Sequence, residues 1–216
     1  MKAVIFDMDG VIIDSEPMHF DIDLKTMQHF GCNIIRSNLE KYAGMTNPDI
    51  CKQLKKEYNI KESIDEIIAY QMDKKIKFIN EENIEPIDGI RELLLELNNN
   101  RIPIAIGSSS PRGFVETVLL KFGIIDYFNV IVTGDEVEQG KPAPDIYIEV
   151  AKKLKLDVKE CIVVEDSRNG VIAAKNAGMS CIGFNNINSG NQDLSKADIT
   201  VNSIREINIT NLSISY

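Results

Sequence analysis

The stretch VIFDMDGVIIDSEP (Val4–Pro17) decides how the rest of the chain is read. Its first three residues are apolar without alternation, the pattern of a strand covered on both faces of a parallel sheet. Two carboxylates, Asp7 and Asp9, follow at once, and then Gly10. Acids this close together at the end of a buried strand repel one another and lose solvation, so they call for a cation, a proton or both. Similar apolar runs recur at Ala3–Asp7, Ile102–Ser108, Asn129–Gly134, Cys161–Asp166 and Ser180–Phe184, with a weaker one at Ala197–Val201. Helix-like segments separate them at Gly89–Asn100, Pro111–Gly123, Asp145–Leu156 and Arg168–Met179. The second of these reads as N-capped by Ser110, with Pro111 in its first turn and Gly123 at its end. Strands alternating with helices predict an α/β fold, a parallel sheet covered by helices on both sides.

Between Ser15 and Asn83 that rhythm stops. The segments EPMHFDIDLKTMQHFG, NPDICKQLKKEYN and SIDEIIAYQMDKKIKFIN read as helices with no strand between them. The expected organisation is therefore an α/β core made of residues 1–14 and 84–216, and an all-helical insert over 15–83. Asn185–Gln192 is a polar loop, and the end after Glu206 has little periodicity.

Composition excludes several classes. The net charge is −9 with no basic run, which argues against nucleic acid or an anionic membrane surface as partner. The 44% hydrophobic content belongs to a globular chain. The four cysteines are scattered without a C-x-x-C pair, so a zinc site or redox motif is not expected, and Cys161 and Cys181 read as small buried thiols. The chain opens directly on a strand and has no apolar run of bilayer length. A soluble cytoplasmic monomer is the expectation.

Four strand ends or the loops after them carry polar groups: Asp7 and Asp9, then Ser108 and Ser109, then Lys141, then Glu165 and Asp166. Singly, each has a plain explanation as a turn residue, a helix cap or a solvated charge. As a set they differ, because open parallel sheets bind ligands at the carboxyl ends of their strands. Converging carboxylates need a cation. Hard oxygen donors without a histidine or cysteine pair suit Mg²⁺.

The motifs DMDGV (Asp7–Val11), GSSS (Gly107–Ser110), GKPAPD (Gly140–Asp145) and VVEDSRNG (Val163–Gly170) together resemble the haloacid dehalogenase superfamily, and within it the phosphatase and β-phosphoglucomutase-like branch. They stand in that family's order and the resemblance covers the whole chain. It implies a Rossmann-like core with a small four-helix cap inserted after the first motif. It also implies that Asp7 is the nucleophile toward phosphorus and Asp9 the general acid and base. Mg²⁺ would be held by the Asp7 side chain, the Asp9 carbonyl and Asp166, with Glu165 in or beside the shell. Ser108 and the Ser109 backbone N–H would bind phosphoryl oxygens, with Ser110 beside them, and Lys141 would offset their charge. The acid at position 9 speaks for phosphate chemistry, since family dehalogenases lack it.

The resemblance further implies hinges near Asp14–Glu16 and Glu82–Pro86. It places a specificity loop at Glu40–Asp49, with Gly44, Thr46 and Asn47 toward substrate, and His19 on the first cap helix. His29 reads as structural. The β-phosphoglucomutases carry an arginine for the second phosphate where this chain has Asn47, which has no charge and no fork. Lys74 and Lys75 read as solvated cap lysines. The leading expectation is an Mg²⁺-dependent phosphatase of a small phosphorylated metabolite, such as a sugar phosphate. A hexose phosphate mutase, an inorganic pyrophosphatase and a non-catalytic phospholigand-binding protein are the alternatives.

Overall fold

The computed structural model describes residues 3–40, 47–208 and 212. From the amino terminus, β1 (Ala3–Phe6) leads into four helices, α1 (Glu16–His29), α2 (Arg36–Glu40), α3 (Asn47–Tyr58) and α4 (Ile64–Glu81). Then come α5 (Ile90–Asn99), β2 (Ile104–Gly107), α6 (Arg112–Lys121), β3 (Val130–Val132) and α7 (Asp145–Leu154). The remainder is β4 (Cys161–Glu165), α8 (Arg168–Asn176), β5 (Ser180–Phe184) and β6 (Ile199–Val201), with short 3₁₀ turns in the connections. All six apolar runs found in the sequence become strands. They form one sheet of order β3-β2-β1-β4-β5-β6 in which every neighbouring pair is parallel.

Burial explains the sequence pattern. Every residue of β1, β2 and β4 is buried, so none of them alternates. The edge strands β3 and β6 have three residues each and are partly exposed, and short edges discourage pairing with another chain. On the core side α7 contributes Ile146, Tyr147 and Val150, and α8 contributes Val171 and Ala174, to a cluster with Ile5, Val163 and Cys181. Full burial of a large apolar side chain is worth roughly 1.5–3 kcal/mol, against about 0–1 kcal/mol for an exposed ion pair. This apolar packing therefore sets where the strand ends lie.

The direction in which the chain adds strands reverses at β1 and β4. Phe6 lies opposite Ile106 of β2 and Val164 of β4, so Asp7, Gly107 and Glu165 fall at one level. The Asp7 N–H donates to the Val164 carbonyl at 3.0 Å and continues the ladder. A parallel sheet opens its binding crevice at this place.

One local expectation is corrected. The N-cap of α6 is Pro111, which makes no side-chain cap bond, and not Ser110. Ser110 lies one residue too early, and its hydroxyl donates to Asp9 instead. Gly123 does close the helix, with φ +64 in the left-handed region.

The chain divides into two compact units, Met1–Glu16 with Asn83–Tyr216, and Pro17–Glu82. The helical unit has its own core, with Met27, Ile34, Cys51, Leu54 and Ile67 buried together. Its helix α4 begins in a capping box, Ser63 with Glu66. All four cysteines are free and buried. Among the described residues no helix is long and apolar enough to cross a membrane.

Candidate active site

Asp7 follows the last residue of β1. It is 7% exposed. The loop behind it is tight: Met8 accepts from the N–H groups of Val11, Ile12 and Ile13, and Gly10 takes φ +76. Gly10 has a second reason to lack a side chain. A Cβ there would stand 1.9 Å from Asp166 Oδ2.

Lys141 reaches this level from the loop after β3. Its Nζ donates to Asp7 Oδ1 at 2.8 Å and to Glu165 Oε1 at 2.7 Å, and it stands 4.9 Å above the Tyr147 ring. Only 6% of the lysine side chain is exposed. Burial opposes its charge, but Asp7 and Glu165 outweigh burial and hold the ammonium well above its ordinary range.

Glu165, the last residue of β4, is fully buried and accepts four hydrogen bonds. Lys141 and the Tyr147 hydroxyl (2.9 Å) donate to Oε1, and the Ser167 N–H and hydroxyl (both 2.9 Å) donate to Oε2. Gly170 gives it room, because a Cβ there would stand 1.6 Å from Oε1. Its neighbour Asp166 is different. Ser189 donates to Asp166 Oδ2, while Oδ1 is buried with no hydrogen-bond partner among the described residues.

Asp7, Glu165 and Asp166 each offer an oxygen within 4.8 Å of the others. One ammonium faces these three acids. Burial pushes the Asp7 carboxyl up to about 7 against the lowering pull of the Lys141 charge, and burial, then the charges of Glu165 and Asp7, push the Asp166 carboxyl up to about 8. An orphaned carboxylate oxygen beside excess negative charge fits a hard divalent cation such as Mg²⁺. The four donors on Glu165 leave Asp7 and Asp166 the more open ligands.

Asp9 is tied from two sides. Ser15 Oγ donates to Oδ1 at 2.5 Å and Ser110 Oγ to Oδ2 at 2.6 Å. Ser108, fully buried, receives the Ser110 N–H on its hydroxyl oxygen at 3.0 Å, which leaves its own proton to donate. Ser109 is exposed, and its carbonyl sits so close to Gly134 that a Cβ there would lie 2.5 Å from it.

The core thus brings Asp7, Asp9, Ser108, Ser110, Lys141, Glu165 and Asp166 to one end of the sheet. The insert residues form a separate group in the helical unit. His19 stands half-buried on α1. Asn47 opens α3 and donates to Gln71 at 3.0 Å, and Gln71 donates to Asp23 at 3.1 Å. Lys75, expected to be solvated, is 8% exposed and lies 3.3 Å from Asp23, because its turn of α4 faces α1. Lys74 lies over the Tyr70 ring at 4.7 Å. His29 stacks on that ring at 4.3 Å, in keeping with a structural role. Gly44 and Thr46 lie outside the described residues.

Sequence reasoning missed Ser15, Tyr147, Ser189, Asp23 and Gln71. Only Tyr147 carried a signal, its place on the apolar face of α7, and that marks burial rather than the hydroxyl's partner.

The chain matches the haloacid dehalogenase-like hydrolase family over residues 4–184. It belongs to that family. A phosphorylated carbohydrates phosphatase of Thermotoga maritima is 33% identical over 182 residues, 84% of each chain. Hexitol phosphatase B of Escherichia coli is 33% identical over 184 residues, 83% of this chain and 82% of its own. Among solved structures, the beta-phosphoglucomutase of Clostridium difficile superposes with a TM-score of 0.83 at 26% identity, covering 100% of this chain and 97% of its own. The family membership and these relatives make the chain a phosphoester hydrolase of the haloacid dehalogenase type.

Two outcomes follow from the geometry. In the metal-free protein, folded Asp7 and Asp166 keep protons that the unfolded chain releases near its ordinary value of 3.8. Stability therefore falls as pH rises from about 4 to about 8. A divalent cation held by these acids would compete with those protons, so calorimetry should find that saturating Mg²⁺ raises Tm more at about pH 8 than at about pH 5. An equal gain at both would place the ion elsewhere. Separately, Tyr147→Phe removes one of the donors on a buried charge, and chemical denaturation should register a loss of about 1.5–3 kcal/mol.

Proposed function

We propose that this protein is an Mg²⁺-dependent phosphatase of small phosphate monoesters, with sugar phosphates as the substrate class, and that it works through an aspartyl-phosphate on Asp7. The observation that carries this reading is the Lys141 ammonium at 2.8 Å from Asp7 and 2.7 Å from Glu165, beside the unpartnered Asp166 Oδ1. A buried carboxylate is aimed by a fixed cation, next to an acid with an unused ligand oxygen.

In this mechanism Asp7, Asp166 and the Asp9 carbonyl hold Mg²⁺, with Glu165 adjoining. The ion supplies charge neutralisation for the phosphoryl oxygens. The Ser108 hydroxyl, the Ser109 N–H and Lys141 bind the same oxygens, and positioning and electrostatics carry most of the rate in such transfers. An Asp7 carboxylate oxygen attacks phosphorus as the bond to the ester oxygen breaks, and Asp9 gives that oxygen its proton. Asp9 then takes a proton from water, the water oxygen attacks phosphorus, and the Asp7 carboxylate is released with inorganic phosphate. Ser15 and Ser110 hold the Asp9 carboxyl between these steps.

The choice of phosphatase over mutase rests on the helical unit. Asn47 offers an amide already bonded to Gln71, and the nearby Lys75 is paired with Asp23. Neither is a free cation for a second phosphate. The curated relatives named as phosphatases of phosphorylated carbohydrates and hexitols point to the same substrate class.

The test is phosphate release with Mg²⁺ over a panel of sugar and polyol phosphates and pyrophosphate, with β-glucose 1-phosphate followed for glucose 6-phosphate. Turnover of one or a few monoesters is expected. Asp7→Asn should lower it by at least about 10³-fold, and Asp9→Asn by about 10²-fold or more. Glucose 6-phosphate formed with little free phosphate would make the enzyme a mutase.

A further inference from the structure

The loop after β5, residues 185–192, does more than join two strands. Its Ser189 hydroxyl donates to Asp166 Oδ2, while Asp166 Oδ1 is buried without a partner. One carboxylate thus has a held oxygen and an open one. Nothing in a carboxylate's own chemistry makes its two oxygens differ; the surroundings do.

Those surroundings are built. On one side Gly10 leaves space for both groups, since a Cβ there would stand 1.9 Å from Asp166 Oδ2 and 2.8 Å from Ser189 Oγ. On the other, the loop's backbone is fixed from within. Asn186, 8% exposed, donates its side-chain amide to the Gly10 carbonyl at 3.0 Å and accepts the Asn188 N–H at 2.9 Å. The Ser189 N–H donates to the Asn186 carbonyl at 3.2 Å, and the Gln192 side chain donates to the Ser189 carbonyl at 2.9 Å. Asn188 ties the same loop to Asp14 at 2.5 Å. A serine meant only for solvent would not need this scaffold.

We propose that Ser189 is a positioning residue for the metal ligand Asp166. By holding Oδ2 it fixes the carboxylate's rotation and keeps Oδ1 turned to the ion. This rests on the reading that Asp166 binds Mg²⁺. Groups behind a ligand govern affinity through ligand orientation, and their loss commonly weakens metal binding about 10–100-fold. The opposing view is that Ser189 merely satisfies a buried acid and competes with the metal for it. On that view its removal leaves affinity unchanged or raises it.

Binding of Mn²⁺, a hard oxygen-seeking probe for the Mg²⁺ site, separates the two. The unbound ion is followed by electron paramagnetic resonance during titration of the full chain as wild type, Ser189→Ala, Ser189→Thr and Asp166→Asn. The expected result is about tenfold weaker binding in Ser189→Ala, near wild-type binding in Ser189→Thr, which keeps the hydroxyl, and no site binding in Asp166→Asn. Ser189→Ala binding as tightly as wild type, or tighter, while Asp166→Asn does not bind would overturn the role of Ser189 alone. Equal binding by wild type and Asp166→Asn would overturn the metal reading and the inference with it. A Ser189→Ala protein that melts early is judged by Ser189→Thr, for which weak binding despite a native melt also counts against the proposal.

Discussion

Three buried carboxylates share one ammonium at the ends of β1 and β4, and the rest of the site depends on that imbalance. Lys141 touches two of the acids, Asp7 and Glu165, and acts on the third, Asp166, only at longer range, with no ion pair to it among the described residues. Desolvation alone would keep such acids protonated. The fold answers differently for each. Glu165 is saturated by four donors, Asp7 is shared with lysine, and Asp166 keeps one oxygen unbonded. A phosphate-transferring site needs this kind of incomplete compensation, because a bound cation and an anionic substrate complete it together.

The backbone makes the crowding possible. Gly10 and Gly170 stand where any side chain would strike Asp166 or Glu165. Ser167 serves two purposes at once. Its hydroxyl accepts the Gly170 N–H as the N-cap of α8 and donates its proton to Glu165. The start of a helix, the end of a strand and a charged network are therefore one construction, and a change at any of them reaches the others.

The helical unit keeps its polar groups in a different register. Asp23, Asn47, Gln71 and Lys75 bond to each other inside an otherwise apolar set of helices. Cys51, next to Asn47 and Gln71, is buried, and its thiol is pushed up to about 11 by that burial, so it stays a neutral member of the group. Buried polar groups are costly unless they bond to one another, and here each named member has a partner.

Much of the core was legible in the chain because it is written locally. Unbroken apolar runs marked all six strands, since a strand covered on both faces has no polar side to alternate with. Each charged residue next to such a run lies at a strand end by construction, which made Asp7, Asp9, Glu165 and Asp166 visible as candidates, and the motif after β3 added Lys141. What the chain could not disclose were partnerships across long separations. Ser110 looked like a helix cap and bonds Asp9, 101 residues away. Lys75 looked solvated and faces Asp23 across a helix pair. Tyr147 was marked only as a buried residue of α7 and Ser189 not at all, because a hydroxyl's role is set by what packs against it. The sequence by itself determined the strands and the acids at their ends, through hydrophobic periodicity and charge placement. Only the tertiary structure decided which oxygen each donor holds and which is left open, because that depends on the sheet's register and the approach of loops distant in the chain.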